Sequence, residues 1–358
     1  MSHRMDRTRR NRLALAGVLA LALLGLAAGL TWNQARQAWQ PEVSGPVLPD
    51  WPQAVAEAAE IEIDSAADHF TLTRSESGWI MPSRDGHPVL ASRLAELDAF
   101  LAGLDYAGAR TADPAKHARL GLGGRGEEGE ATRLTVRDAS GAVRVDILIG
   151  RETETGIYVR FPGRNRTYAA RPGETAASLP PIAEAGHWLD LDFLELGANA
   201  IAVSTIVPEA GPAYRLERPS PSVRSFALRQ PGGWTLITAA AGNGPASALA
   251  RVRFRDVRAA SRLEGEVVAR HIAETFDGVR VSLDVLALGE TRWAVLRAQA
   301  LTDDAGDAAG AINAAADGWA FLLSELTLDR LIRPLDQIAD PRRETETDAA
   351  EPDNPPRQ

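Results

Sequence analysis

The residues that could carry chemistry gather most densely in His187-Trp188-Leu189-Asp190-Leu191-Asp192. Two carboxylates at that spacing could divide acid and base roles, or join Asp303, Asp304 and Asp307 in holding a hard cation. The calcium-loop pattern D-x-[DN]-x-[DN]-G is absent from the sequence, so the simpler reading is preferred: Trp188, Leu189 and Leu191 pack while both Asp side chains cap or face water. The histidines, His3, His69, His87, His117, His187 and His271, include no i,i+3 or i,i+4 pair that would set two imidazoles on one helical face. A hydrolytic site drawn from Asp190, Asp192, His187 or His271 is the least favoured functional reading. No G-x-S-x-G, P-loop, H-E-x-x-H or S-x-x-K pattern accompanies it. Gly121, Gly123 and Gly126 spell G-x-G-x-x-G, which cradles a pyrophosphate only between a strand and a helix N-terminus; here a strand follows, and a surface loop is expected. Trp79 and Trp234, each after a Gly, and Trp293 are the aromatics that could stack a ligand, although a lone Trp at a strand start is more often core. The expectation is therefore no cofactor, no metal and no catalytic residue, with Trp79, Trp234 and Trp293 as the candidate ligand or partner surface.

Composition narrows the classes further. The formal net charge is −9. The first 36 residues carry about +5 of opposite sign, leaving about −14 on the remainder. Such an acidic body is a poor match for nucleic acid, whose phosphates call for a basic face. Zero Cys excludes disulfides, thiolate nucleophiles and Cys-ligated metals.

At the N-terminus Arg4, Arg7, Arg9, Arg10 and Arg12 precede an uncharged run from Leu13 to Leu30, with Trp32 just beyond. That pattern predicts a transmembrane helix over 13–32, anchored by Leu13, Leu19, Leu24, Leu30 and Trp32, with 1–12 in the cytoplasm and the bulk extracytoplasmic at a bacterial inner membrane. A cleaved signal peptide is the alternative. Pro41, Pro46, Pro49 and Pro52 predict a spacer over 33–59, and the acidic stretch 339–358 predicts a disordered tail.

Between these ends the chain reads as α+β. Thr132, Leu134 and Val136, the turn Asp138 to Gly141, and Val143, Val145, Ile147 and Ile149 have the period of a hairpin. Leu90, Leu94, Leu97, Leu101 and Leu104 recur at helical spacing, predicting a helix over one face of that sheet. The order Ile61 to Ile63, Phe70 to Arg74, Gly78-Trp79, Pro88 and a helix reappears as Ile201 to Val207, Tyr214 to Arg218, Gly233-Trp234, Pro245 and a helix through Leu249, Val252 and Val257. This predicts two tandem units of antiparallel sheet with a helix on one face, over 60–197 and 198–338, with an insertion near Ala112 to Glu130 in the first.

Several segments in order carry a likeness: Pro49 and Trp51; Leu72-Thr73-Arg74; Gly78-Trp79; Leu120-Gly121-Leu122; Leu148-Ile149-Gly150; Tyr158-Val159-Arg160; Trp188-Leu189-Asp190; and Gly318-Trp319 to Leu335. With these the chain resembles, from about residue 45 to 338, a bacterial family catalogued as a domain of unknown function, numbered four-three-four-zero. The resemblance implies single-span envelope proteins that accompany an ABC-type permease and its gliding-type auxiliary subunit. It supplies no catalytic residues. The expected function is accordingly a membrane-anchored accessory or scaffold protein; the alternative is a glycan- or lipid-binding envelope module, and homo-oligomerisation is left open.

Overall fold

The computed structural model describes residues 17–18, 20–32, 42–174 and 178–342. Two compact units divide the chain, Met1–Trp188 and Leu189–Gln358.

The first unit is a nine-stranded antiparallel sheet. Its strands are β1 (Ala58–Asp64), β2 (His69–Ser75), β3 (Gly78–Met81), β4 (His87–Pro88), β5 (Asp105–Ala109), β6 (Thr132–Asp138), β7 (Val143–Thr153), β8 (Gly156–Arg160) and β9 (Thr167–Arg171). They lie side by side in the order β4-β3-β2-β1-β6-β7-β8-β9-β5. The alternation of β-branched and polar residues builds it, because period two sends every second side chain to one face. Leu72, Ile61, Val136 and Val145 form one cross-strand row; Phe70, Ile63, Leu134 and Ile147 form the next. All eight are buried, each contributing roughly 1.5–3 kcal/mol of transfer free energy. The opposite face is tied by ion pairs, Arg137 to Glu60 and Glu62 and Arg133 to Asp146. At the β6–β7 turn Asp138 accepts from the Ser140 hydroxyl and from the Ser140 and Ala142 amides, which with Arg144 hold its carboxyl down at about 2.

Two helices accompany this sheet, α1 (Trp51–Glu57) and α2 (Ala91–Ala102). Leu97, Phe100 and Leu101 of α2 are buried, and the Trp51 indole donates to Asp98 Oδ1 at 2.8 Å, joining the two helices. Val47, Leu48, Trp51 and Ala54 are core residues, so the chain is packed well inside the stretch expected to be a spacer.

The second unit repeats the strand order. Its strands β10 (Ile201–Val207), β11 (Tyr214–Glu217), β12 (Ala227–Gln230), β14 (Val257–Ala259), β15 (Glu266–Thr275), β16 (Val279–Leu288), β17 (Thr291–Ala300) and β18 (Trp319–Leu322) lie as β12-β11-β10-β15-β16-β17-β18-β14. Even the irregularity recurs: β1 has a bulge against β6 between Ala58 and Glu60, and β10 has one against β15 between Ile201 and Val203. A bulge at the same place in two sheets is a designed feature of a shared framework. The link between β5 and β6 runs over 110–131; its counterpart between β14 and β15 is only 260–265.

Three expectations are corrected. First, among the described residues no helix is long and apolar enough to cross a membrane. Residues 17–18 and 20–32 are helical, and the described stretch 20–32 rises about 20 Å, against a hydrocarbon core of about 30 Å. Leu24, Leu30 and Trp32 lie exposed on it, while Leu13 and Leu19 fall outside the described residues.

Second, α+β overstates the helices: the fold is mostly antiparallel sheet with a few short ones. After Pro245 the expected helix is the single turn α3 (Asn243–Ala246), a 3-10 turn Ala248–Ala250 and then extended chain. Arg251 to Arg255 alternates exposed and buried residues with period two, with Val252 and Phe254 inside. The helix that does lie on this sheet, α4 (Gly306–Ala316), packs on β17 and enters the topology between β17 and β18, a place with no helix in the first unit. A last helix, α5 (Glu325–Leu331), is capped by the Ser324 hydroxyl, which accepts from the Thr327 amide.

Third, the two Gly-Trp pairs are not equivalent. Trp79 pairs with Arg74 inside the main sheet, whereas Trp234 begins β13 (Trp234–Leu236), which pairs with β19 (Ala339–Pro341) in a separate ribbon. That ribbon also takes in the start of the stretch expected to be a tail; residues 343–358 lie outside the described residues.

Candidate functional site

In the first unit a cleft of about 840 Å³ opens between α2 and the segment Ser178 to Pro181. Ala95, Ala99, Leu179, Pro180 and Pro181 give it apolar walls, and Arg93, Glu96 and His187 give it a polar end. Helical spacing puts Arg93 and Glu96 one turn apart, where the guanidinium donates to both carboxylate oxygens at 2.7 and 3.0 Å. His187 arrives from a distant part of the sequence on the 3-10 turn Ala185–Trp188. Two bonds fix that turn: the Leu90 amide donates to Trp188 O at 2.9 Å, and the Trp188 indole donates to Ile182 O at 3.1 Å.

The His187 imidazole stands edge-on to Trp188 and is 8% exposed. Its Nε2 is buried without a hydrogen-bond partner, 3.7 Å from Glu96 Oε2 and so beyond hydrogen-bonding range. Burial, reinforced by the Arg93 charge and opposed by Glu96 and Glu184, pushes its pKa down. At neutral pH His187 is thus an uncharged imidazole, able to donate or accept according to tautomer. Leaving such a nitrogen unpaired costs about 1–3 kcal/mol. Ser92 and Ser178 line the same cleft. The geometry is that of an apolar trough with a charge-paired polar end.

The residues singled out from sequence are dispersed. Trp79 is half-buried in the first unit under the Arg74 guanidinium, 5.3 Å from the ring centroid. In the second unit Trp234 is half-buried and Trp293 is 7% exposed, its indole donating to Thr291 Oγ1. None of the three lines the cleft. Asp192 pairs with Arg253 at 3.0 Å, and His271 is wholly buried with Nδ1 2.8 Å from Leu331 O. Among the described residues no three His, Asp or Glu side chains come together as a metal site.

The glycine-rich loop is exposed over 124–128, and its own side chains engage its amides. The Gly124 amide donates to Glu127 Oε2 at 2.8 Å and the Gly126 amide to Glu130 Oε2 at 2.7 Å, so its own carboxylates hold the groups a phosphate would need. Gly129 of the loop and Gly150 of β7 serve close approach. A Cβ on Gly150 would meet Leu120 O at 2.5 Å, and one on Gly129 would meet Ala118 O at 2.3 Å. Leu122 is fully buried, and Arg160 reaches its carbonyl at 3.4 Å. The segments Leu120-Gly121-Leu122, Leu148-Ile149-Gly150 and Tyr158-Val159-Arg160 therefore meet in one contact.

Fold and cleft together define a protein of two repeated antiparallel sheets, one of which carries an apolar cleft with a polar end. A family model described as a domain of unknown function (DUF4340) matches residues 79–265, more than half of the chain, and the chain belongs to that family. The match runs from β3 to just before β15, taking in the cleft and the Gly150 contact. No curated protein and no solved structure matches the chain.

Proposed function

We propose that this protein is a non-catalytic accessory module that binds an extended segment of a partner protein in the cleft of its first unit. The observation that carries the reading is the apolar trough closed at one end by the Arg93–Glu96 pair and His187. A peptide suits that arrangement, because its backbone offers a donor and an acceptor at every residue and its side chains can cover Ala95, Ala99 and Leu179. The partner we propose, from the family resemblance, is an ABC-type permease or its gliding-type auxiliary subunit, met on the extracytoplasmic side.

A stacking platform for glycan is less well supported, since Trp293 is enclosed and Trp79 is already covered by Arg74. The test is affinity capture from cells in mild detergent with quantitative mass spectrometry, comparing the natural chain with Ala95→Trp. Ala95 is exposed, so the indole fills the trough without entering the core. Transporter components enriched at least about tenfold less by the variant would support the reading. Equal capture by both, or no transporter component with either, would sink it.

A further inference from the structure

In the second unit, Ala248, Arg251 and Arg253 face Thr327 and Arg330 of α5 across a cleft of about 330 Å³. Its sequence signal is Arg251-Val252-Arg253-Phe254-Arg255: with Val252 and Phe254 buried, period two turns the arginines outward. Arg251 and Arg330 make no ion pair among the described residues. Arg253 meets Asp192 at 3.0 Å, but both side chains are largely open, at 69% and 46%, so water and salt weaken that pair. Of the acids on α5, Asp329 is engaged by Arg333. Three guanidinia on one cleft in a chain of net charge −9 are a local reversal of sign.

The second observation is apolar. Leu326 is 74% exposed, the most exposed large hydrophobic among the described residues. It lies four residues before Arg330 on α5 and so on the same face.

We propose that this cleft is a docking site for an acidic segment of a partner protein, with a carboxylate in the arginine cleft and an apolar side chain against Leu326. Guanidinium forks match carboxylates bidentately, and the neighbouring Leu326 favours a peptide over a bare anion. This names the chemistry of a partner contact and rests on the reading of the protein as a partner-binding module, although it uses a different surface.

The experiment is selection of random twelve-residue peptides displayed on phage against the full chain, followed by fluorescence anisotropy of the enriched peptides. Peptides carrying Asp or Glu beside Leu, Ile or Phe are expected. They should bind at least roughly tenfold more weakly to Arg251→Glu/Arg330→Glu, more weakly to Leu326→Ser, and more weakly as salt rises from 50 to 500 mM. Enriched peptides without acidic residues, or binding unchanged in the double variant, would overturn the proposal. So would pyrophosphate displacing them while Leu326→Ser has no effect, because the site would then be a general anion site. If capture from cells fails while acidic peptides still bind through these arginines, the functional reading falls and this site stands. If capture succeeds and is blocked by Ala95→Trp but acidic peptides ignore the arginines, the reverse holds.

Discussion

At the residue scale, His271 shows what one buried polar side chain does to a repeated framework. Counting from the shared bulge, Ile206 of β10 stands where Ile63 stands in β1, and their partners are His271 and Leu134. Both partners are fully buried, but one is an imidazole whose Nε2 has no partner. Burial pushes the His271 pKa down to about 4, against the opposing hydrogen bond to Leu331 O. In the unfolded chain it titrates near 6.5. Between these values the unfolded state binds the extra proton, so this contribution is complete above about pH 6.5 and is lost as pH falls toward 4. The loss is on the order of 3 kcal/mol. Urea unfolding at pH 7, 5 and 4 should show the decline, and His271→Leu, which installs the first unit's residue, should flatten it. At Gly150, the 2.5 Å approach to Leu120 O leaves no room for a methyl group. Gly150→Ala is expected to cost about 2 kcal/mol or more, read as a lower midpoint in the same assay.

At the scale of elements, the strands are legible because period two is written directly in β6 and β7. The second unit's helix was misplaced for an instructive reason: Leu249, Val252 and Val257 fit a helical stripe loosely, whereas Arg251 to Arg255 alternates strictly, and the alternation governs. The cleft was illegible because its parts are far apart in sequence. Arg93 and Glu96 have helical spacing, but nothing in the sequence brings His187 to them; the hydrogen bond from Leu90 to Trp188 does that.

Helix α4 makes a further point at this scale. Strand β18 reaches β17 only at Trp293 and Ala294, leaving the backbone of Ala298 without a strand partner on that side. Asn313 of α4 replaces the strand: its Oδ1 accepts from the Ala298 amide at 2.8 Å and its Nδ2 donates to the carbonyl at 2.9 Å. Asn313→Ala removes both bonds and should cost about 2 kcal/mol. Hydrogen exchange at β17 would locate that loss, with faster exchange of the Ala298 amide and little change in β10.

At the scale of the whole molecule, two units with one strand order carry two dissimilar clefts, an apolar trough in the first and an arginine cleft in the second. Family membership read from scattered short motifs was confirmed over residues 79–265, and much of that likeness is structural: Trp51 and Trp188 are core, and Gly150 permits a close contact. Each unit buries its own hydrophobic rows, so residues 42–188 and 189–342 made separately should each unfold cooperatively. Circular dichroism melts with a sloping, featureless trace for either piece would contradict that.

The central claim concerns the first unit's cleft, and site-specific photo-crosslinking addresses it most directly. A photoreactive benzoylphenylalanine placed at Ala95 in cells should yield one discrete adduct with a membrane transport component, and the same residue placed at Val143, exposed on β7 and outside the cleft's lining, should not. Identical adducts from both positions, or none from Ala95, would contradict the claim that this cleft holds a partner.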